Sequence, residues 1–386
     1  MRILFTFAGG AGHFLPLLPL ARAAASAGHQ VAFGGQAALL PMVEQAGFRG
    51  FDTGGASLRD DSLRAPLLAL DQTREDRAVR EGYAGRIAWQ RAAAIMALAG
   101  AWRPDLLVRD EMDFGAAVAA ERLGIPHASV LVIAAGSLAR PELIAEPLHT
   151  LRVEHGLPPD PDLAMLSRYL VLSPFPPSFR DPRFPLPATA QSFRMSATEG
   201  AGAVPAWLAG LPSLPLVYVT LGTIFNVESG NLFRRILAGL ESLPINLVVT
   251  VGPQIDPAEL GPQPAHIRVE RFIDQAGLLP HCDLVVSHAG SGTLIGALAQ
   301  GLPLVLLPIG ADQPLNAARA AALGVAQVLD PVTMTPAALG DAVAAGLADP
   351  RWRHAAQRVC CEIAALPDLA QAVTLLERLV FSGNKV

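Results

Sequence analysis

Short, nearly continuous apolar runs alternate with longer helical patterns along the chain. Ile3–Phe7, Val31–Phe33, Leu106–Val108 and Ala128–Ile133 read as buried strands. Between them, Leu15–Ala27, Ala37–Ala46 and Ala116–Leu123 read as helices, stopped by Gly28, Gly47 and Gly124. The second half repeats the pattern. Leu216–Leu221, Leu247–Val251, Asp283–Ser287 and Leu304–Leu307 are strands, and Ser291–Gln300 and Asn316–Leu323 are helices. Alternation of this kind predicts α/β architecture, with two doubly wound parallel sheets in tandem. The expected domains are 1–205 and 206–366. Residues 367–386, including a last helix Leu369–Phe381, form a segment able to pack back on the first domain. Ligands of such sheets bind beyond the carboxyl ends of the strands, so two facing domains would enclose a cleft.

Three segments depart from the alternation. Arg59–Arg91 is the most charged stretch and shows no strand; it reads as a solvated excursion or a loop over a site. Residues 156–205 are rich in proline, and Ser196–Ser213 reads as an interdomain linker. Leu294–Ala311 is apolar enough to raise a membrane span, but Gly296, Gly301, Pro303, Pro308 and Gly310 divide it. It reads as a helix end, a turn at Gly301–Pro303 and a buried strand.

Composition narrows the class. The 386 residues suit two domains. The mean hydropathy of +0.37 is explained by sheets covered on both faces. A net charge of −5 with no basic stripe argues against nucleic acid. Cys282, Cys360 and Cys361 have neither zinc spacing nor a disulfide framework and fit a reducing cytoplasm. Gly9, Gly10, Gly12, His13 and Pro16 interrupt what would be a signal-peptide core. Lys385 is the single lysine among 29 basic residues, a sign of a GC-rich genome.

The candidate chemistry lies at strand-to-helix turns. Ala8-Gly9-Gly10-Ala11-Gly12-His13 follows the first strand, where glycines permit close approach of a ligand. Phe14 and Leu15 stand where a dinucleotide fingerprint would need its third glycine, which disfavours a nicotinamide cofactor. His13 can serve as a general base or as a helix cap. Asp110, at the end of another strand, is the candidate orienting carboxylate, with Asp113 second; both could equally be helix caps. Ser287-His288-Ala289-Gly290-Ser291-Gly292-Thr293 leads from strand to helix and forms an anion site suited to a diphosphate. Asp312 and Gln313, at the next such turn, suit sugar hydroxyls. Asp160-Pro161-Asp162 is a DxD without strand context, so no metal is expected.

Together, His288–Thr293, Gly301-Leu302-Pro303 and Asp312-Gln313 resemble the nucleotide-sugar signature of family 1 glycosyltransferases of the GT-B fold. The likeness is closest to bacterial natural-product enzymes. It extends to Gly12-His13 with Pro16, Leu17 and Pro19, to Pro104–Asp110 and Leu123–Pro126, and to Val219–Thr223. The resemblance implies an acceptor-binding first domain and a nucleotide-sugar-binding second domain. It makes His13 the base and Asp110 its partner. It gives Gly222, Thr223, His288, Gly290, Ser291, Gly292 and Thr293 to the diphosphate, and Asp312 and Gln313 to the sugar. Phe272 and Ile273 would meet the nucleobase, and Gly12 and Phe14 the acceptor.

Two departures from the family pattern stand out. Asp274-Gln275 replaces the usual Pro-Gln. Gly296 occupies the place of the glutamate that binds ribose hydroxyls in UDP-sugar enzymes; without it, a nucleotide lacking the 2′-hydroxyl leaves no buried group unpaired. The expectation is therefore inverting transfer of a deoxyhexose from a dTDP-sugar to a hydrophobic aglycone, without a metal or other cofactor. A homodimer is a candidate assembly. A UDP-sugar enzyme, a C-glycosyltransferase and a catalytically silent nucleotide-sugar-binding helper remain alternatives.

Overall fold

The computed structural model describes residues 1–56, 64–195 and 204–381. Parts of the charged excursion (57–63), of the linker (196–203) and of the C-terminal segment (382–386) lie outside the described residues. The first sheet contains β1 (Arg2–Thr6), β2 (Gln30–Gly35), β3 (Arg49–Asp52), β4 (Leu106–Asp110), β5 (His127–Val130), β6 (Leu170–Ser173) and β7 (Ala190–Ser192). Its order is β3-β2-β1-β4-β5-β6-β7, with every pairing parallel. The second sheet contains β8 (Leu216–Thr220), β9 (Asn246–Thr250), β10 (Ile267–Glu270), β11 (Leu284–Ser287), β12 (Leu304–Leu306) and β13 (Ala326–Val328). Its order is β10-β9-β8-β11-β12-β13, again parallel. Strand order reverses between β1 and β4 in one sheet and between β8 and β11 in the other. Each reversal opens a crevice at the carboxyl ends of its strands.

The apolar runs are continuous because the strands are covered on both faces: β4, β8, β9 and β11 are buried throughout. Around β1 the core is aromatic. Phe14 packs edge-on against Phe33 at 5.2 Å and lies 5.4 Å from Phe7. This corrects the acceptor assignment of Phe14: its ring is fully buried, while Gly12 and Leu15 face outward. The short helix Ala11–Phe14 buries Ala11 and Phe14.

The apolar run at 294–311 resolves into helix Ser291–Leu298, a turn with Gly301 at φ +67° and strand β12. No single described helix is long and apolar enough to cross a membrane. Helix Pro350–Ala365 sets Ala355, Ala356 and Val359 into the second domain's core. The chain then bends by 48°, and Leu369–Phe381 sets Leu369, Ala372, Val373, Leu376 and Leu379 among Ile3, Phe5, Leu20 and Leu172 of the first. Those positions form one helical stripe.

Where it is described, the charged excursion is largely exposed as far as Arg74, yet it contacts the second domain and then turns helical. Ala65 donates its N–H to the Val227 carbonyl at 2.8 Å, and the Arg64 guanidinium grips the Glu259 carboxylate, so this strap reaches the second domain. Helix Gln72–Arg77, a wider-turned stretch Ala78–Ile87 and helix Ala88–Trp102 follow. Arg91 is wholly buried in a two-pronged pair with Asp113, at 2.9 and 2.6 Å, and also donates to Thr53 and Gly34. Its charge is matched inside the protein rather than by water. Asp113 also caps helix Phe114–Leu123 by accepting from the Ala116 N–H. Asp160 of the DxD accepts from the N–H groups of Ala164 and Met165 and lies near Arg152 and Arg168, whereas Asp162 is exposed.

Candidate active site

His13 and Asp110 come from the two strands that flank the first reversal. β1 and β4 pair in register, Thr6 opposite Arg109, which brings the loop after β1 beside the end of β4. Asp110 is fixed by the backbone: one oxygen accepts from the Ala8 N–H and the other from the Met112 N–H, each at 2.6 Å. Its Oδ2 lies 3.4 Å from His13 Nδ1. Gly9, at φ +134°, has no room for a side chain, since a Cβ there would lie 2.5 Å from the imidazole. Nδ1 thus faces the carboxylate and Nε2 faces outward. Burial alone would depress the His13 pKa; the carboxylates of Asp110, Asp312 and Glu111 outweigh it and raise the pKa above the ordinary 6.5.

The anion site is built the same way on the second sheet. Gly222 follows β8 and His288 follows β11, with Thr220 opposite Ser287. The imidazole of His288 lies between two glycines, Nε2 being 2.6 Å from where a Cβ of Gly222 would stand and 2.5 Å from that of Gly290. Burial lowers its pKa to about 4, so it is a neutral hydrogen-bonding group at ordinary pH. Ala289 is held at φ +67°, a strained conformation for a residue with a side chain. Helix Ser291–Leu298 begins at Gly290, which has no side chain to cap it. Its first N–H groups and the positive end of its dipole therefore remain available for an anion. Gly292 opens onto free space. Thr223 is exposed.

The nucleobase and sugar positions divide into lining and framework. Phe272 is 75% exposed, whereas Ile273 is buried in the core. Asp274 caps the short helix Gln275–Leu278, and the Gln275 amide reaches Tyr218 and Thr293 at 3.3 Å. The Asp-for-Pro change therefore starts a helix. Gln313 is buried, and its carbonyl oxygen accepts from the N–H groups of Ile309 and Gly310, at 2.8 and 3.2 Å; this fixes its amide and holds the loop before it. The Asp312 carboxylate accepts from the Ser291 hydroxyl and the Asn316 amide. Burial raises its pKa, opposed by these bonds and by His13 across the cleft. Gly296 touches Leu279, 3.3 Å from where its Cβ would be.

The structure brings His13, Asp110, Ser291 and Asp312 to one junction between the domains, with His288 just before the helix that Ser291 starts. Three further residues border it. The Tyr83 ring stacks on His13 at 5.7 Å, its hydroxyl 3.5 Å from Nε2. Glu111 accepts from the N–H groups of Val132 and Ile133, fixing the loop after β5. Buried Glu75, from the excursion, accepts from the Ala311 N–H beside Asp312. Glu111 stands in the turn between β4 and helix Phe114–Leu123, beside Asp110, whereas Tyr83 and Glu75 lie in no strand-to-helix turn. The only sequence sign of Glu75 and Tyr83 is charge, or a lone aromatic, in the charged excursion, and that of Glu111 is its place next to Asp110.

Known proteins resemble the chain in sequence and in fold. Residues 78–222 and 234–379 match the families described as the N-terminal and C-terminal domains of erythromycin biosynthesis protein CIII-like proteins. The 10-deoxymethynolide desosaminyltransferase of Streptomyces venezuelae is 29% identical, over 98% of this chain and 97% of its own length. The 4'-demethylrebeccamycin synthase of Lentzea aerocolonigenes is 30% identical over 98% and 99%. The crystal structure of glycosyltransferase VinC in complex with dTDP superposes with a TM-score of 0.79 at 26% identity, over 99% of this chain and 100% of that one. The chain belongs to the erythromycin biosynthesis protein CIII-like family of bacterial natural-product glycosyltransferases, and its fold is GT-B.

Proposed function

We propose that the protein transfers a deoxyhexose from a dTDP-sugar to a hydroxyl of a hydrophobic natural-product aglycone, with inversion at the anomeric carbon. The observation that carries this reading is the His13–Asp110 pair within the electrostatic reach of Asp312, whose carboxylate is bonded to Ser291 at the start of the uncapped helix. The first domain would hold the aglycone and the second the dTDP-sugar.

His13 Nε2 takes the proton of the acceptor hydroxyl as its oxygen attacks the anomeric carbon and the bond to the diphosphate breaks. Asp110 keeps the proton on Nδ1 and stabilises the imidazolium. The leaving diphosphate gains negative charge, which the N–H groups of Ser291–Thr293 and neutral His288 receive. Asp312 and Gln313 hold the sugar, and Phe272 and Ile273 the base. Stabilisation of the leaving group is assigned to the helix terminus, so no metal or other cofactor is proposed, and excess EDTA should leave the rate unchanged.

The dTDP assignment rests on Gly296 and is supported by the dTDP bound in the related VinC structure. The Leu279 contact gives a packing reason for a small residue at 296 as well. Turnover with UDP-glucose equal to that with dTDP-sugars would overturn the assignment. His13→Ala should lower transfer by about 10²–10⁴ while dTDP binding, read by calorimetry, stays unchanged. Retained transfer would make His13 structural.

A further inference from the structure

We infer that Asn316 is a positioning residue that ties closure of the two domains to the orientation of Asp312. The inference rests on the reading of Asp312 as the donor-sugar carboxylate. Asn316 stands one helical turn after Asp312 and is wholly buried. Its Nδ2, which carries two hydrogens, lies 3.0 Å from the Ala289 carbonyl, 3.0 Å from Ser291 Oγ and 2.7 Å from Asp312 Oδ2, so one hydrogen is shared between two acceptors. Its Oδ1 accepts from the N–H of Ala135, which belongs to the first domain, at 3.0 Å. A carbonyl on one side and an N–H on the other leave a single orientation for the amide.

Ser291 completes the junction. Its hydroxyl accepts from the Ala134 N–H at 3.0 Å and from Asn316, and donates to Asp312 at 2.8 Å. One donor and two lone pairs are all engaged. Ser291 therefore meets a diphosphate through its backbone N–H, while its side chain belongs to the junction. The loop carrying Ala134 and Ala135 is anchored at Val132 and Ile133 by Glu111, the neighbour of Asp110. A continuous path of bonds thus runs from the strand end that holds the base partner to the sugar carboxylate. Separating the domains breaks the two bonds from Ala134 and Ala135, so Ser291 Oγ and Asn316 Oδ1 each lose the first-domain N–H that holds them, and their orientation toward Asp312 then rests on second-domain bonds alone.

The test uses the full-length protein with dTDP and dTDP-glucose as probes. Calorimetry gives the affinity increment that the glucose adds, and hydrogen exchange reads the peptide containing Ala134 and Ala135. In the wild type, dTDP-glucose should bind more tightly than dTDP and should slow exchange of that peptide. Asn316→Ala should leave dTDP affinity within about twofold, abolish at least tenfold of any sugar increment and remove the protection. Ser291→Ala, at the buried start of the helix, should remove part of the sugar increment and of the protection, and carries the test if Asn316→Ala fails to fold. Unchanged sugar increment and unchanged protection in a folded variant would overturn the inference. Asp312→Asn separates it from its premise. If Asp312→Asn leaves the increment intact, the sugar assignment fails; if it removes the increment and the Asn316 and Ser291 variants do not, the coupling alone fails.

Discussion

His13 can be a base because its two ring nitrogens have different neighbours. Nδ1 faces a carboxylate locked by two backbone N–H groups, and Nε2 faces the cleft, where the Tyr83 hydroxyl lies. The raised pKa has a sign that can be tested. A base must be neutral to accept a proton, so kcat/KM should fall on the acid side with an apparent pKa above 6.5. Asp110→Asn removes the main charge that holds the proton on His13, so this limb should move to lower pH. The plateau should fall by about 10²–10³ as the imidazole loses its fixed tautomer. A limb that stays in place would remove Asp110 as the partner. His13, Asp110, His288 and Asp312 were legible in the sequence because each lies at the end of an apolar run, where the fold puts ligands. Phe14 was misplaced because adjacent positions on a one-turn helix point to opposite sides, and motif spacing does not say which. Arg91 and Glu75 were hidden because charge in sequence carries no mark of the buried partner that neutralises it.

At the scale of elements, the site depends on how helix Ser291–Leu298 starts. Glycine at 290 leaves the terminus open and leaves space for the His288 ring. The backbone there has φ −63°, which any residue can adopt, so Gly290→Ala tests space alone. The added methyl should displace the imidazole and weaken dTDP binding at least tenfold, with little further loss when combined with His288→Ala. Additive losses would show that the methyl acts elsewhere. Strands and the helices stopped by glycine were legible because covered parallel strands need unbroken apolar runs. Helix Ala88–Trp102 was less so: its small apolar residues show no clear polar face. Helix Pro141–Glu154 contains Pro147, which reads in sequence as an interruption.

For the whole molecule, the domains are joined by more than a linker. The strap at Arg64–Ala65 reaches the second domain, Ala134 and Ala135 bond to it, and Leu131, Phe175 and Phe179 share a core cluster with Tyr218 and Leu278. Stability should therefore be shared. In calorimetry, heating should give one transition, and dTDP at about 100 times its Kd should raise the whole transition through roughly 2.7 kcal/mol of linkage. Two transitions, only the later of them moving, would show independent domains. The final helix adds a different consequence, one for recombination between relatives. A hybrid made by exchanging everything after the linker would import a foreign helix into the first domain's core, against Ile3, Phe5 and Leu172. Grafts meant to exchange donor preference should stop near Leu366 and keep the native Leu369–Phe381, so that the swapped piece is an internal insert rather than a tail.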